Sequence, residues 1–230
     1  MIDCAEGTQL QLRRYKVHFQ RIRHICISHL HGDHYYGLIG LLTSFHLLGR
    51  KDDLHLYGPP DLWEIIELQL KVSNTELIYP LYFHPLVMNA YDLIFEDDKV
   101  TVHSFPLVHC IPTCGFVFRE KKAERNSLGG PRSYAYCSDT MYSETIIPYI
   151  GHCSLLYHET TFLKNMSKAA KDKFHSTTIE AATIAKISGA KKLLIGHYSA
   201  RYDDLKPMLE ETMSIFPNTI IAEDGLKINI

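Results

Sequence analysis

No Cys-x-x-Cys pair occurs among the six cysteines, which stand apart at Cys4, Cys26, Cys110, Cys114, Cys137 and Cys153. A structural zinc on Cys110 and Cys114 would need a second pair of suitable spacing, and none follows. Reduced thiols packed as small apolar residues in a cytosolic chain are therefore expected. No signal-peptide pattern opens the chain, so a cytoplasmic location is the expectation. The most apolar stretch, Gly37 to Leu48, is too short and too polar to cross a bilayer, which argues against a membrane partner. Internal repeats and low-complexity tracts are absent as well. Nor is there an excess of charge: a formal net charge of −2 excludes a chain that holds nucleic acid by bulk charge. Any RNA contact must come from local basic clusters.

What is abundant is histidine, with 14 in 230 residues. Hydrophobic content of 46% and charged content of 22% are those of a globular protein, and the length suits one domain spanning 1–230. Four metal-ligand side chains crowd into His29-Leu30-His31-Gly32-Asp33-His34, directly after the apolar run Ile25-Cys26-Ile27. Core packing has no use for so many imidazoles and a carboxylate together. Neutral imidazole and carboxylate suit zinc or manganese. Alternate residues of extended chain project to opposite sides, so His29 and His31 can share one ion while Asp33 and His34 turn to a second.

Strand-like and helix-like segments alternate along the chain, which predicts a layered α/β fold. Ile22–Ser28 and Asp53–Tyr57 read as strands, Tyr35–Leu48 and Asp61–Val72 as helices. A β-rich middle follows at Ile78–Phe83, Leu93–Glu96, Val100–Phe105, Gly115–Arg119 and Tyr134–Cys137. Leu155–His158 and Leu193–Gly196 are short strands, with helices expected at Thr178–Ser188 and Asp203–Phe216. Thr177 and Glu180 form a capping-box pattern ahead of the first of these helices. Glu120–Arg132, polar and closed by Gly and Pro, reads as a surface loop.

Two ions need more ligands than one loop supplies. His109, Asp139 and His197 each come just after an apolar strand, so all can gather at one sheet edge. A carboxylate has two oxygens, which makes Asp139 the natural bridge. One ion would take His29, His31, His109 and Asp139, and the other Asp33, His34, His197 and Asp139.

The loop resembles the HxHxDH signature of the metallo-β-lactamase superfamily, and the chain as a whole resembles the ribonuclease Z family within it. The matching segments are Asp3–Gln9, Ser28–His34, Tyr57–Pro60, His109–Phe116, Tyr136–Thr140, His158–Phe162, His175–Thr177 and Gly196–Tyr202, in the family's order. The resemblance implies a four-layer αββα sandwich, a site of two Zn2+ (Mn2+ or Fe2+ also fit the ligands), removal of the 3′ trailer from precursor tRNA, and a homodimer. It also implies that Glu159 and His175 act together in proton transfer, with Glu159 setting the imidazole's tautomer and His175 protonating the leaving 3′ oxygen. Asp33 would orient the attacking water and take its proton. His158 lies outside the functional set.

For holding RNA, the candidates are Arg13, Arg14, Lys16, Arg21 and Arg23, then Lys164, Lys168, Lys171 and Lys173, and singly Arg201 as a substrate-phosphate contact. Two departures from the family stand out. Its members begin with a pair of strands ahead of the Asp3–Gln9 segment, and carry a long tRNA-gripping arm where this chain has Glu120–Arg132. An unpaired sheet edge and weaker tRNA binding, with the metal chemistry intact, are the expectations. The alternatives are a phosphodiesterase acting on small diesters or other RNA, and a metal-bound, inactive RNA-binding module.

Overall fold

The structure, a computed structural model, describes residues 1–122 and 130–230. Residues 123–129 of the expected surface loop lie outside the described set. The chain divides into two compact units, Met1–Val87 and Met88–Ile230.

The first unit is built on a parallel sheet of β1 (His24–Cys26), β2 (Leu54–Gly58) and β3 (Leu81–Pro85), in that order. Its helices are α1 (Thr8–Arg14), α2 (Gly32–Tyr35), α3 (Leu38–Leu47) and α4 (Leu62–Val72). Leu38, Leu41, Leu42 and Phe45 recur at helical spacing on α3, and Leu62 and Ile66 do so on α4. They form one buried cluster with Ile25, Leu54 and Leu56 of the sheet. Each such side chain contributes roughly 1.5–3 kcal/mol on burial. The sheet's alternate positions carry rings instead, with His24 stacked on His55 and Tyr57 on His84. The outer edge of β1 is partly covered: Asp3 N donates to Cys26 O at 2.8 Å and Cys26 N to Met1 O at 2.9 Å.

In place of the single helix that the spacing predicts over Tyr35–Leu48 there are two, separated at Tyr36–Gly37. Tertiary contact breaks the periodicity. The Cys4–Ala5 backbone crosses so closely that a Cβ on Gly37 would lie 1.9 Å from Ala5 O. The strand expected at Ile78–Phe83 slides to Leu81–Pro85, because Tyr79 turns into the core and donates its hydroxyl to Leu42 O at 3.0 Å.

The second unit holds a seven-stranded sheet. Its strands are β4 (Asp92–Glu96), β5 (Val100–Leu107), β6 (Thr113–Glu120), β7 (Ser133–Cys137), β8 (Leu155–Glu159), β9 (Leu193–Gly196) and β10 (Thr219–Ile221). Their spatial order is β10-β9-β8-β7-β6-β5-β4. The first four join as antiparallel neighbours, and β7 to β10 run parallel. The helices between the parallel strands are α5 (Ile147–Ile150), α6 (Ser167–Asp172), α7 (Thr178–Ser188) and α8 (Lys206–Met213). The Thr177–Glu180 capping box is formed, and Gly189 closes α7 at φ 67°. The helix α8 is shorter than expected, beginning only where Pro207 can occupy the first turn. Glu120 and Arg132 pin the surface loop at its base, with Arg132 N donating to Glu120 Oε2 at 2.8 Å.

Because β5 and β7 are both antiparallel to β6, β5 shares its direction with β7, β8 and β9. The carboxyl ends of these four strands therefore lie along one edge. His109, Asp139, Glu159 and His197 stand at or just past those ends.

Candidate metal centre

In the first unit the His29–His34 loop leaves β1 while its backbone is still held, with Ile27 N donating to Tyr57 O at 2.8 Å. His29 is fully buried and His34 nearly so, whereas Asp33 is exposed. His29 Nε2 lies 3.0 Å from His31 Nδ1, and His34 Nε2 lies 3.7 Å from Asp33 Oδ2. Asp3, whose role the sequence did not reveal, organises the loop. Its Oδ1 accepts from Ser28 N at 2.8 Å, and its Oδ2 accepts from Ser28 Oγ at 3.0 Å and from His34 Nδ1 at 2.8 Å. The Ser28 hydroxyl also meets His29 Nδ1 at 3.0 Å.

The second unit presents its own set. Asp139 is buried and aims its two oxygens at different imidazoles, Oδ1 at His197 Nε2 (3.2 Å) and Oδ2 at His109 Nε2 (3.8 Å). Ser138 Oγ steadies the carboxylate by donating to Oδ1 at 2.9 Å. His109 Nδ1 is 3.0 Å from Phe174 O, which can only accept, so the proton sits on Nδ1 and the lone pair on Nε2. Asp139 and His197 both adopt left-handed backbone, at φ 45° and 58°, as does Asp3 at 52°. Such conformations cluster at functional sites, where surrounding contacts hold them.

Glu159, with 0% exposure, accepts four hydrogen bonds. Thr140 N (3.0 Å) and His175 Nδ1 (2.8 Å) reach Oε1, while Thr161 N (3.0 Å) and Thr161 Oγ1 (2.7 Å) reach Oε2. His175 stacks on His197 at 5.3 Å between ring centroids. Ligand atoms of Asp139, His175 and His197 all lie within 4.8 Å of one another. Thr161 Oγ1 in turn meets His197 Nδ1 at 2.9 Å. His158 points elsewhere: it is buried, donates from Nδ1 to Glu159 O at 2.8 Å, and burial holds its basicity down. Arg201 is exposed, with its guanidinium 5.0 Å above the Phe162 ring and Nε donating to Ser199 Oγ.

Ligand separations test whether these residues suit a divalent ion. Tetrahedral ions with bonds near 2.0–2.2 Å place neighbouring ligand atoms about 3.3–3.6 Å apart. The distances of 3.0, 3.2, 3.7 and 3.8 Å given above bracket that value. The residues fit, and their chemistry is that of a divalent-metal site. Of the six cysteines, Cys4, Cys26, Cys114, Cys137 and Cys153 are buried and Cys110 is exposed.

A parallel sheet and a mixed sheet, with histidines and carboxylates that could hold a metal ion gathered at strand ends, define the class. A profile described as Beta-lactamase superfamily domain matches residues 1–198, and the chain belongs to that superfamily and has the metallo-β-lactamase fold. More narrowly, it belongs to the ribonuclease Z family. The Ribonuclease Z of Azobacteroides pseudotrichonymphae is 42% identical over 250 residues, covering 98% of this chain and 86% of the relative. That of Parabacteroides distasonis is 38% identical over 270 residues, covering 100% and 89%. Among solved structures, the short form of human tRNase Z is 31% identical with a TM-score of 0.82, covering 100% of this chain and 87% of that one.

Proposed function

We propose that this chain is a metal-dependent endoribonuclease that removes the 3′ trailer from precursor tRNA and leaves a 3′-hydroxyl. The observation that carries the reading is the second unit's combination of a carboxylate aimed at two imidazoles with a buried Glu159–His175 pair. Family membership supports the substrate. The relatives are named for ribonuclease Z activity, and this chain spans most of their length.

The residues that would hold the ions are His29, His31, His109 and Asp139 for one, and Asp33, His34, His197 and Asp139 for the other. Zinc is the proposed metal, and manganese or iron would accept the same ligands. Bound ions of this kind supply Lewis acidity, lowering the pKa of water and offsetting charge on the phosphoryl oxygens. Asp33, the exposed carboxylate of the loop, orients the attacking water and takes its proton. Glu159 holds the proton on His175 Nδ1 and stabilises the imidazolium, so that His175 Nε2 delivers a proton to the departing 3′ oxygen. Arg201 contacts a substrate phosphate from the strand-end loop after His197. The working unit is a homodimer in the cytoplasm. Among the described residues, no helix is long and apolar enough to cross a membrane.

The decisive test is cleavage of a precursor tRNA bearing a 3′ trailer, compared with hydrolysis of bis-p-nitrophenyl phosphate and accompanied by metal analysis. Cleavage at the trailer junction, lost with a chelator and restored by zinc, is expected. Activity on the small diester alone would replace the tRNA reading with that of a general phosphodiesterase. The short Glu120–Arg132 interval favours that second reading.

A further inference from the structure

The two units repeat one hydrogen-bonding arrangement. In the first, Asp3 accepts both the backbone N–H and the hydroxyl of Ser28, and takes His34 Nδ1 directly at 2.8 Å. In the second, Glu159 accepts both the backbone N–H and the hydroxyl of Thr161, and takes His175 Nδ1 directly at 2.8 Å. Each hydroxyl then faces a second imidazole: Ser28 Oγ lies 3.0 Å from His29 Nδ1, and Thr161 Oγ1 lies 2.9 Å from His197 Nδ1. Ser28 is 0% exposed and Thr161 7%, so water cannot readily substitute at either point.

A hydroxyl has one proton to give. The carboxylates of Asp3 and Glu159 can only accept, and two oxygens 3.0 or 2.7 Å apart without a proton between them repel. Thr161 has a competing acceptor in His197 O, at 3.0 Å, but the carboxylate is nearer and charged. Each hydroxyl proton therefore goes to its carboxylate, and the hydroxyl lone pair must receive a proton from the imidazole. That places N–H on Nδ1 of His29 and of His197 and the lone pair on Nε2. These Nε2 atoms are the ones that face His31 Nδ1 and Asp139 Oδ1.

We propose that Ser28 and Thr161 are positioning residues that fix the tautomer and ring orientation of His29 and His197 for metal binding. Through Thr161, the carboxylate that holds the proton donor His175 also holds a metal ligand, so acid and metal site share one anchor. The inference rests on the reading of His29 and His197 as ligands. A spectator hydroxyl would leave tautomer and affinity unchanged when removed.

The test uses the zinc-loaded, 15N-histidine-labelled protein and long-range 1H–15N correlation. For both His29 and His197, Nδ1 is expected as the protonated nitrogen and Nε2 as the zinc-bound one. A zinc-bound Nδ1 at either residue overturns the assignment. Chelator competition supplies a second readout. Thr161→Val is expected to weaken zinc binding by about 10- to 100-fold, the usual scale for lost outer partners, and Thr161→Ser to restore it. Unchanged zinc affinity in a folded Thr161→Val protein also overturns the proposal. If that variant does not fold, Thr161→Ser and the wild-type spectrum still decide. Zinc bound in the expected manner without tRNA cleavage would refute the activity and leave this wiring standing; a wild-type protein that takes up no zinc, manganese or iron refutes both.

Discussion

Replacing Glu159 by glutamine is the most informative single change, because it preserves shape while removing one acceptor. The carboxylate faces four donors, two on each oxygen. Whichever way the amide turns, its NH2 group meets one backbone N–H head-on, Thr140 N on one side or Thr161 N on the other. The Thr161 hydroxyl can turn to accept and give its proton to His197 O, and His175 can accept only by changing tautomer. Leaving that one buried donor unmade costs about 1–3 kcal/mol. At about 2–4 °C per kcal/mol for a chain of this size, the melting temperature of the metal-loaded protein should fall by roughly 2–12 °C. Turnover should fall further than stability explains, by about 10²-fold or more, because His175 loses the partner that sets its tautomer. Differential scanning calorimetry and single-turnover cleavage of precursor tRNA, measured below the variant's melting point, check both. A Glu159→Gln protein that melts and turns over like wild type would refute the role of this carboxylate as the common anchor.

Other changes separate the remaining roles. His175→Ala should slow turnover by about a hundred-fold or more with metal content unchanged; zinc lost from that variant, measured by elemental analysis, would make His175 a ligand instead. Burial beside His55 pushes His24 down to about 4 from its usual value near 6.5. The unfolded chain therefore binds the proton more readily, and stability present above pH 6.5 is lost as pH falls towards 4. His24 is only partly buried, so solvent screening limits the effect to about 1 kcal/mol. Unfolding free energies from urea titrations at pH 7.5 and 4.5 should differ by that much less in His24→Gln. From Thr8 through Arg23 there are five lysines and arginines and no acidic residue, and Arg13, Arg14 and Arg21 are exposed. If phosphates sit there, the triple change to glutamine should flatten the salt dependence of precursor-tRNA binding by up to about 0.9 for each phosphate left without its cation; an unchanged slope would exclude this segment.

Much of this protein was legible in the linear chain because the relevant information is local. The four candidate ligands His29, His31, Asp33 and His34 fall within six residues, the Thr177–Glu180 cap spans one helical turn, and α3 and α4 announce their buried faces by spacing. The helix α1 was not legible, since it buries no residue and so leaves no apolar period to read. The break at Gly37 was equally hidden, because its cause is the Cys4–Ala5 backbone crossing from more than thirty residues earlier. Only the tertiary structure decided how the site is wired. Asp3 meets Ser28 and His34 across separations of 25 and 31 residues, and Thr161 meets His197 across 36. Hydrogen bonds of that reach depend on where strand ends come to rest within each unit, and no local pattern of residue types reports it. A histidine in the sequence is a candidate ligand; which of its two nitrogens faces the ion is set by what the folded chain places against the other.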